Sequence, residues 1–292
     1  MTILNQIGDR GDWKRIHYDK DLIARINREA EEESRRDKGN KAKTNNLPKQ
    51  EATIPENANP NQSIINAGDY WTIPNVSYRN GIHTFDLSKT LLENGQAKTQ
   101  EQWAEYRKIA QPKAEFYTGD MPLYHAVFTA LFEQKDNPQF KQIAEEARQF
   151  IQNSMRQKCP ITLTRIAYQP RGKDKIIHNY KTNEQYELEE KIIGPDRLIE
   201  SGDCLALKSL LGNGDINKIN SVYQWINQTN AYLWRLNEKP KNVDERVARF
   251  DASSGGVNLY CYWGPEYADA SLGVRLVVRP KGAETKNSGG IK

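Results

Sequence analysis

Residues 249–263 read Arg249-Phe250-Asp251-Ala252-Ser253-Ser254-Gly255-Gly256-Val257-Asn258-Leu259-Tyr260-Cys261-Tyr262-Trp263, and residues 272–279 read Leu272-Gly273-Val274-Arg275-Leu276-Val277-Val278-Arg279. Successive side chains of a β-strand point to opposite faces. Val257, Leu259 and Cys261 therefore share one face, and Asn258, Tyr260 and Tyr262 the other. Leu272, Val274, Leu276 and Val278 repeat the apolar alternation. The stretch predicts two strands packed as a pair, each burying one face. The loop between them, from Trp263 to Ser271, is rich in aromatic, small and acidic residues. Tyr and Trp offer large amphipathic contact area with few torsions to freeze, and small polar residues give adaptable hydrogen bonds. That is the composition of a recognition surface. The competing reading places Tyr260, Tyr262 and Trp263 in the core of a two-layer domain; the regular apolar partners on the opposite face favour exposure.

Upstream, Val247 to Phe250 reads as a strand leading into this stretch, and Asn230 to Leu236 as another. Asp215 to Asn227 reads as a helix, with Ile216, Ile219, Val222, Tyr223 and Ile226 on one side. The preceding Gly212-Asn213-Gly214-Asp215 lacks the alternating carboxylates and closing Glu of a calcium loop, and is read as a turn that caps the helix. Strands are expected at 161–168, 175–180 and 186–193. Three helices are expected before them, from Thr99 to Ala110, after an Asp120 cap with Pro122 in the first turn, and from Pro138 to Gln157. Cys159-Pro160 closes this helical run, because proline cannot continue a helix. Tyr70 to Tyr78 and Ile82 to Phe85 suggest a hairpin with Asn80-Gly81 as its turn. Residues 19–38 suggest a charged helix, residues 39–63 a disordered linker poor in anything to bury, and the tail after Pro280 is loose and polar.

Among 292 residues, 37% are hydrophobic and mean hydropathy is -0.84, so the chain is globular with much solvated sequence. No apolar run approaches the roughly 18 residues of a bilayer span, and no secretory h-region is read, so a cytoplasmic protein without a membrane partner is expected. Three widely spaced cysteines, Cys159, Cys204 and Cys261, read as reduced and mostly buried thiols. The net charge of +4 is spread over the chain without a basic stripe, which argues against a nucleic-acid partner. His17, His83, His125 and His178 stand in unrelated contexts. There is no zinc spacing, no P-loop, no GxGxxG and no nucleophile elbow, so no metal, cofactor or catalytic residue is assigned.

From Asp203 onward the order of pieces resembles the C-type-lectin-like fold of formylglycine-generating-type domains and of the variable proteins of diversity-generating retroelements. The similarity rests on the helix from Ile216 to Asn227, the strand with Leu233-Trp234-Arg235, the strand from Arg246 to Phe250, the Gly255-Gly256 turn, the aromatic-polar strand and loop, and the closing Leu272-Gly273-Val274-Arg275-Leu276-Val277. The closing strand departs from the family's commoner Gly-Phe-Arg ending. The resemblance implies that the segment before the closing strand is the rewritten, ligand-contacting one. Ser253, Ser254, Asn258, Tyr260, Tyr262, Trp263, Glu266, Tyr267 and Asp269 would then touch the ligand, and Leu259, Cys261, Gly264, Gly273 and Arg275 would be scaffold.

The expectation is an α+β protein: a charged arm and linker over 1–66, a mainly helical module over 67–160, a C-type-lectin-like domain over 161–282 and a tail over 283–292. Its expected work is non-covalent recognition of a macromolecular ligand, a protein in the first instance. The alternatives are a formylglycine-generating-type oxidase or other cysteine enzyme using Cys204 or Cys261, and a nucleic-acid accessory protein using the basic tip Arg171, Lys173 and Lys175.

Overall fold

The hairpin at the start of the folded region shows how local sequence sets local shape. In the computed structural model, which describes residues 64–200 and 204–277, β1 (Ile65–Asn66) pairs with β2 (Tyr70–Tyr78), and β2 pairs with β3 (Gly81–Ser88). Trp71, Ile73, Val76 and Tyr78 are buried. The alternation breaks at Pro74-Asn75, where the register shifts and Asn75 takes φ 58°. Proline lacks the ladder donor and Asn tolerates left-handed backbone, so the pair suits a bulge. Pairing of Val76 with His83 and of Tyr78 with Gly81 then leaves Arg79 and Asn80 as the turn, one residue earlier than expected. The expected charged helix at 19–38, the linker at 39–63 and the tail beyond Pro280 lie outside the described residues.

Helix α1 (Gln100–Ala110) starts at a capping box, with the Thr99 hydroxyl accepting from the Gln102 N–H and the Gln102 side chain accepting from the Thr99 N–H. Helix α2 (Met121–Gln134) is capped by Asp120, which accepts from the Leu123 N–H at 2.9 Å. Helix α3 (Lys141–Lys158) ends at Cys159, whose φ of 44° turns the chain into Pro160. Strands β4 (Ile161–Tyr168), β5 (Asp174–His178), β6 (Tyr186–Glu190) and β7 (Arg197–Leu198) follow. Helix α4 (Cys204–Leu211) is an element the periodicity did not announce. Helix α5 (Ile216–Asn227) is capped by Asp215, whose carboxylate accepts from the N–H groups of Asn217 and Lys218. Strands β8 (Ala231–Trp234), β9 (Asp244–Ser253), β10 (Gly256–Trp263) and β11 (Val274–Leu276) complete the chain.

Helices and a large mixed sheet put the protein in the α+β class. Seven strands form one sheet in the order β6-β5-β4-β9-β10-β8-β7, antiparallel except where β8 runs parallel to β10. Four form another, β1-β2-β3-β11. The expected pairing of the last two strands is therefore corrected. β10 lies between β9 and β8, whereas β11 crosses to the other sheet and pairs with β3. Alternation identifies which face a strand buries, but it carries no information about which neighbour supplies the hydrogen bonds.

One face of the larger sheet packs on helices. Phe250 in β9 sits 5.6 Å from Phe128, 6.4 Å from Tyr124 and 6.5 Å from Tyr223, ring centroid to centroid. That contact joins α2, α5 and the sheet, so residues of 67–160 and of 161–282 share one core. On the opposite face a smaller cluster of Leu92, Trp103, Ala104, Ile161, Leu163 and Val247 lies beneath α1. Gln100 fixes α1 there, donating to the carbonyls of Thr162 and Thr164 at 2.9 Å and accepting from Arg165 at 2.8 Å. Farther along, on β10 and β8, the same sheet face is left half-exposed.

Candidate functional site: an aromatic sheet face

Val257, Leu259 and Cys261 are fully buried, as the alternation requires. On the other side of β10, Tyr260 and Tyr262 are half-exposed, and Trp263 follows after a register shift against β9. The parallel strand β8 adds Tyr232 and Trp234 to the same face, because Ala231 and Leu233 point into the core. The rings form a continuous chain. Tyr232 and Trp234 lie 4.8 Å apart, Trp234 and Tyr260 6.0 Å, Tyr260 and Tyr262 5.3 Å, Tyr262 and Trp263 5.7 Å, and Trp263 and Tyr267 5.1 Å. The Tyr260–Tyr262 and Trp263–Tyr267 pairs are edge-on and the Tyr262–Trp263 pair is stacked, both geometries that the ring quadrupole favours. Tyr267 is 49% exposed, which makes it the most open ring of the group.

Polar groups anchor this surface at two ends. At one, Asp251 accepts from Asn258 Nδ2 at 2.7 Å, from the Tyr260 hydroxyl at 3.3 Å and from the Cys159 thiol at 3.3 Å. Asn258 in turn accepts from Trp234 Nε1 at 2.9 Å. At the other, the Arg249 guanidinium pairs with Asp269, donates to the Tyr267 carbonyl at 3.1 Å and lies 5.2 Å from the Trp263 ring centre. Burial lowers the Arg249 pKa to about 10, which leaves it charged at neutral pH. Burial, reinforced by Asp196 and Asp251, pushes the Tyr262 phenol up to about 12, so its hydroxyl stays protonated.

The expected contact residues divide. Tyr260, Tyr262, Trp263 and Tyr267 are brought together. Asn258 is only 7% exposed, so it supports Trp234 and Asp251 from within rather than facing solvent. Asp269 is tied into the fold: its carboxylate holds Arg249 and its backbone carbonyl accepts from Trp103 Nε1 at 2.8 Å. Glu266 is exposed on the loop, with its carboxylate against the Cα of Gly264, where a Cβ would collide with it. Ser253 and Ser254 lie at the β9–β10 turn, at the far end of β10 from Tyr262. Of the expected scaffold residues, Gly273 faces Leu92 so closely that a Cβ would stand 2.9 Å from its methyl, and Arg275 pairs with Asp86 at 2.5 Å.

Tyr232, Trp234, Arg249 and Asp251 were not assigned from sequence. The first two had a legible signal, the alternation Ala231-Tyr232-Leu233-Trp234. The other two had none, since only the β9–β10 register sets Asp251 opposite Asn258 and Arg249 opposite Tyr260.

The groups behind the alternative readings lie elsewhere. All three cysteines are free thiols, with Cys261 buried, Cys159 half-buried and Cys204 exposed, the last against the expected burial. Burial and then Asp251 push the Cys159 thiol up to about 12, and burial raises Cys261 as well, so neither is a thiolate at neutral pH. At the basic tip, Lys173 lies 3.6 Å from Glu190 and Lys175 3.7 Å from Glu187, which offsets its charge. Among the described residues no helix is long and apolar enough to cross a membrane, and no group of three or more His, Cys, Asp or Glu could hold a metal.

The fold and this face together describe an α+β protein with an aromatic-polar sheet surface. No protein-family model, curated protein or solved structure matches the chain.

Proposed function

We propose that the chain is a recognition protein that binds a macromolecular ligand, a protein, through the aromatic face of β8 and β10 and the loop after Trp263. The observation that carries this reading is the run of six rings from Tyr232 to Tyr267 on a half-exposed part of a sheet whose opposite face is fully packed. Aromatic side chains on a rigid platform lose little conformational entropy when a partner covers them, and a few such residues dominate most interfaces. The C-type-lectin-like resemblance, with the chain as a variable protein of a diversity-generating retroelement, is the finer form of this proposal. It expects gene copies to differ at the codons of Tyr260, Tyr262, Trp263, Glu266 and Tyr267 while Leu259 and Cys261 stay fixed, because substitution at a fully buried position costs the core.

The test is selection from a randomised peptide-display library against the full chain, followed by rescoring on Tyr262→Ala and Tyr267→Ala. Loss of a hot-spot ring weakens binding by about 2 kcal/mol or more, roughly thirtyfold. Ligands whose affinity is indifferent to both substitutions refute the reading.

A further inference from the structure

The face differs from the protein's other aromatic groups in what lies over its rings. Elsewhere, Lys and Arg side chains cover several of the partly exposed rings. Arg275 lies 4.9 Å from the Tyr70 ring centre and 4.6 Å from Phe116, Arg79 4.7 Å from Tyr186, and Lys135 4.4 Å from Phe132. Among the described residues no cation lies over Trp234, Tyr260, Tyr262 or Tyr267. Beside them, Asp251 has no ion-pair partner among the described residues; its three hydrogen bonds all come from neutral donors. A carboxylate has about four acceptor positions, so one remains. Arg249, the buried cation beside Trp263, is already matched by Asp269.

We propose that this surface receives a basic side chain, the guanidinium of an arginine or the ammonium of a lysine presented by a protein partner, with Asp251 as its counter-charge and the rings of Tyr260, Tyr262 and Trp234 as its bed. The proposal rests on the recognition reading above and narrows its ligand. A cation over an aromatic face is attracted by the ring quadrupole, most strongly by Trp and Tyr. Arginine suits the site best, because its planar fork stacks on a ring while donating to a carboxylate. The exposed carboxylate of Glu266, on the loop beyond Trp263, adds to the negative field at the opposite rim.

The test titrates the full chain into fluorescein-labelled Gly-Arg-Gly-Arg-Gly and its lysine, serine and glutamate counterparts, read by anisotropy. The formal charge of +4 repels a basic probe from the protein as a whole, so tight retention of one reports a local site. The expected result is at least tenfold tighter binding of the arginine peptide than of the serine peptide, weakened at least fivefold by Asp251→Asn and at least twofold by Glu266→Gln. Glu266 is an exposed loop residue, so its variant remains informative if Asp251→Asn does not fold. Equal binding of arginine and serine peptides overturns the proposal, as does arginine binding that neither variant weakens. In either case the display ligands decide the broader reading separately. Ligands that depend on Tyr262 but carry no excess of Arg or Lys leave recognition standing and remove only the basic side chain.

Discussion

Replacing Asp269 separates a residue that meets a ligand from one that holds the site together. The Arg249 side chain is 3% exposed and Asp269 26% exposed, so the pair is largely withdrawn from water. At an effective dielectric of about 20 and contact distance, the attraction is on the order of 4 kcal/mol, much of it offset by desolvation. Removing only the carboxylate leaves Arg249 buried with the Tyr267 carbonyl, the Trp263 ring and an Nε that has no partner. An uncompensated buried charge costs about 3–5 kcal/mol. Asp269→Asn retains an acceptor oxygen and the Trp263 contact returns about 1 kcal/mol, so the expected loss is about 2–3 kcal/mol. For a folded region of this size that lowers the melting midpoint by roughly 5–10 °C.

The assay is urea denaturation of wild type, Asp269→Asn, Arg249→Met and the double variant. If the charges are coupled as the geometry indicates, the double variant is more stable than the sum of the two single losses by about 1 kcal/mol or more. A single Asp269→Asn loss below about 0.5 kcal/mol, with additive behaviour in the double variant, refutes the reasoning and returns Asp269 to the surface as a free ligand-contacting group.

Three further outcomes are expected. Leu259→Ala, at a fully buried position, lowers stability by about 3 kcal/mol, while Tyr262→Ala, at a partly exposed position, costs about 1–2 kcal/mol by the same urea titration; equal losses place the tyrosine in the core. Burial lowers the His125 pKa from 6.5 to about 3, so between those values the unfolded chain binds the extra proton and stability falls as pH drops below about 6.5. The loss by pH 3 is on the order of 4 kcal/mol. His125→Phe flattens that acid limb, although His178, also lowered by burial, keeps part of the slope. Alkylation followed by mass spectrometry modifies exposed Cys204 first, Cys159 slowly, and buried Cys261 only on unfolding.

How much of this could be read in advance depends on whether the determining contact is local. Asp120 and Pro122, Thr99 and Gln102, and Asp215 fix helix starts through bonds to residues three positions away or fewer, so α1, α2 and α5 were legible. The face buried by β10 was legible for the same reason, since period two is local. The turn of the first hairpin was not, because the bulge at Pro74-Asn75 resets the register before the Asn80-Gly81 signal is reached. Helix α4 is about two turns long and its Leu-rich sequence carries no clear stripe, so periodicity had too little length to act on.

The candidate site follows the same rule, and that explains its missing half. The rings of Tyr260, Tyr262 and Trp263 lie on one strand and could be grouped by alternation. Trp234 joins them only because β8 runs parallel to β10 and sets Trp234 beside Tyr260. Asp251 joins only because the Ser254-Gly255 turn pairs it with Asn258, and Cys159 only because α3 ends against β9. A sequence pattern lists the aromatic residues of such a surface, but its charge is assembled across strands. The charge proposed for the ligand therefore rests on the sheet register, and Asp251→Asn tests it with little change to the apolar contact area.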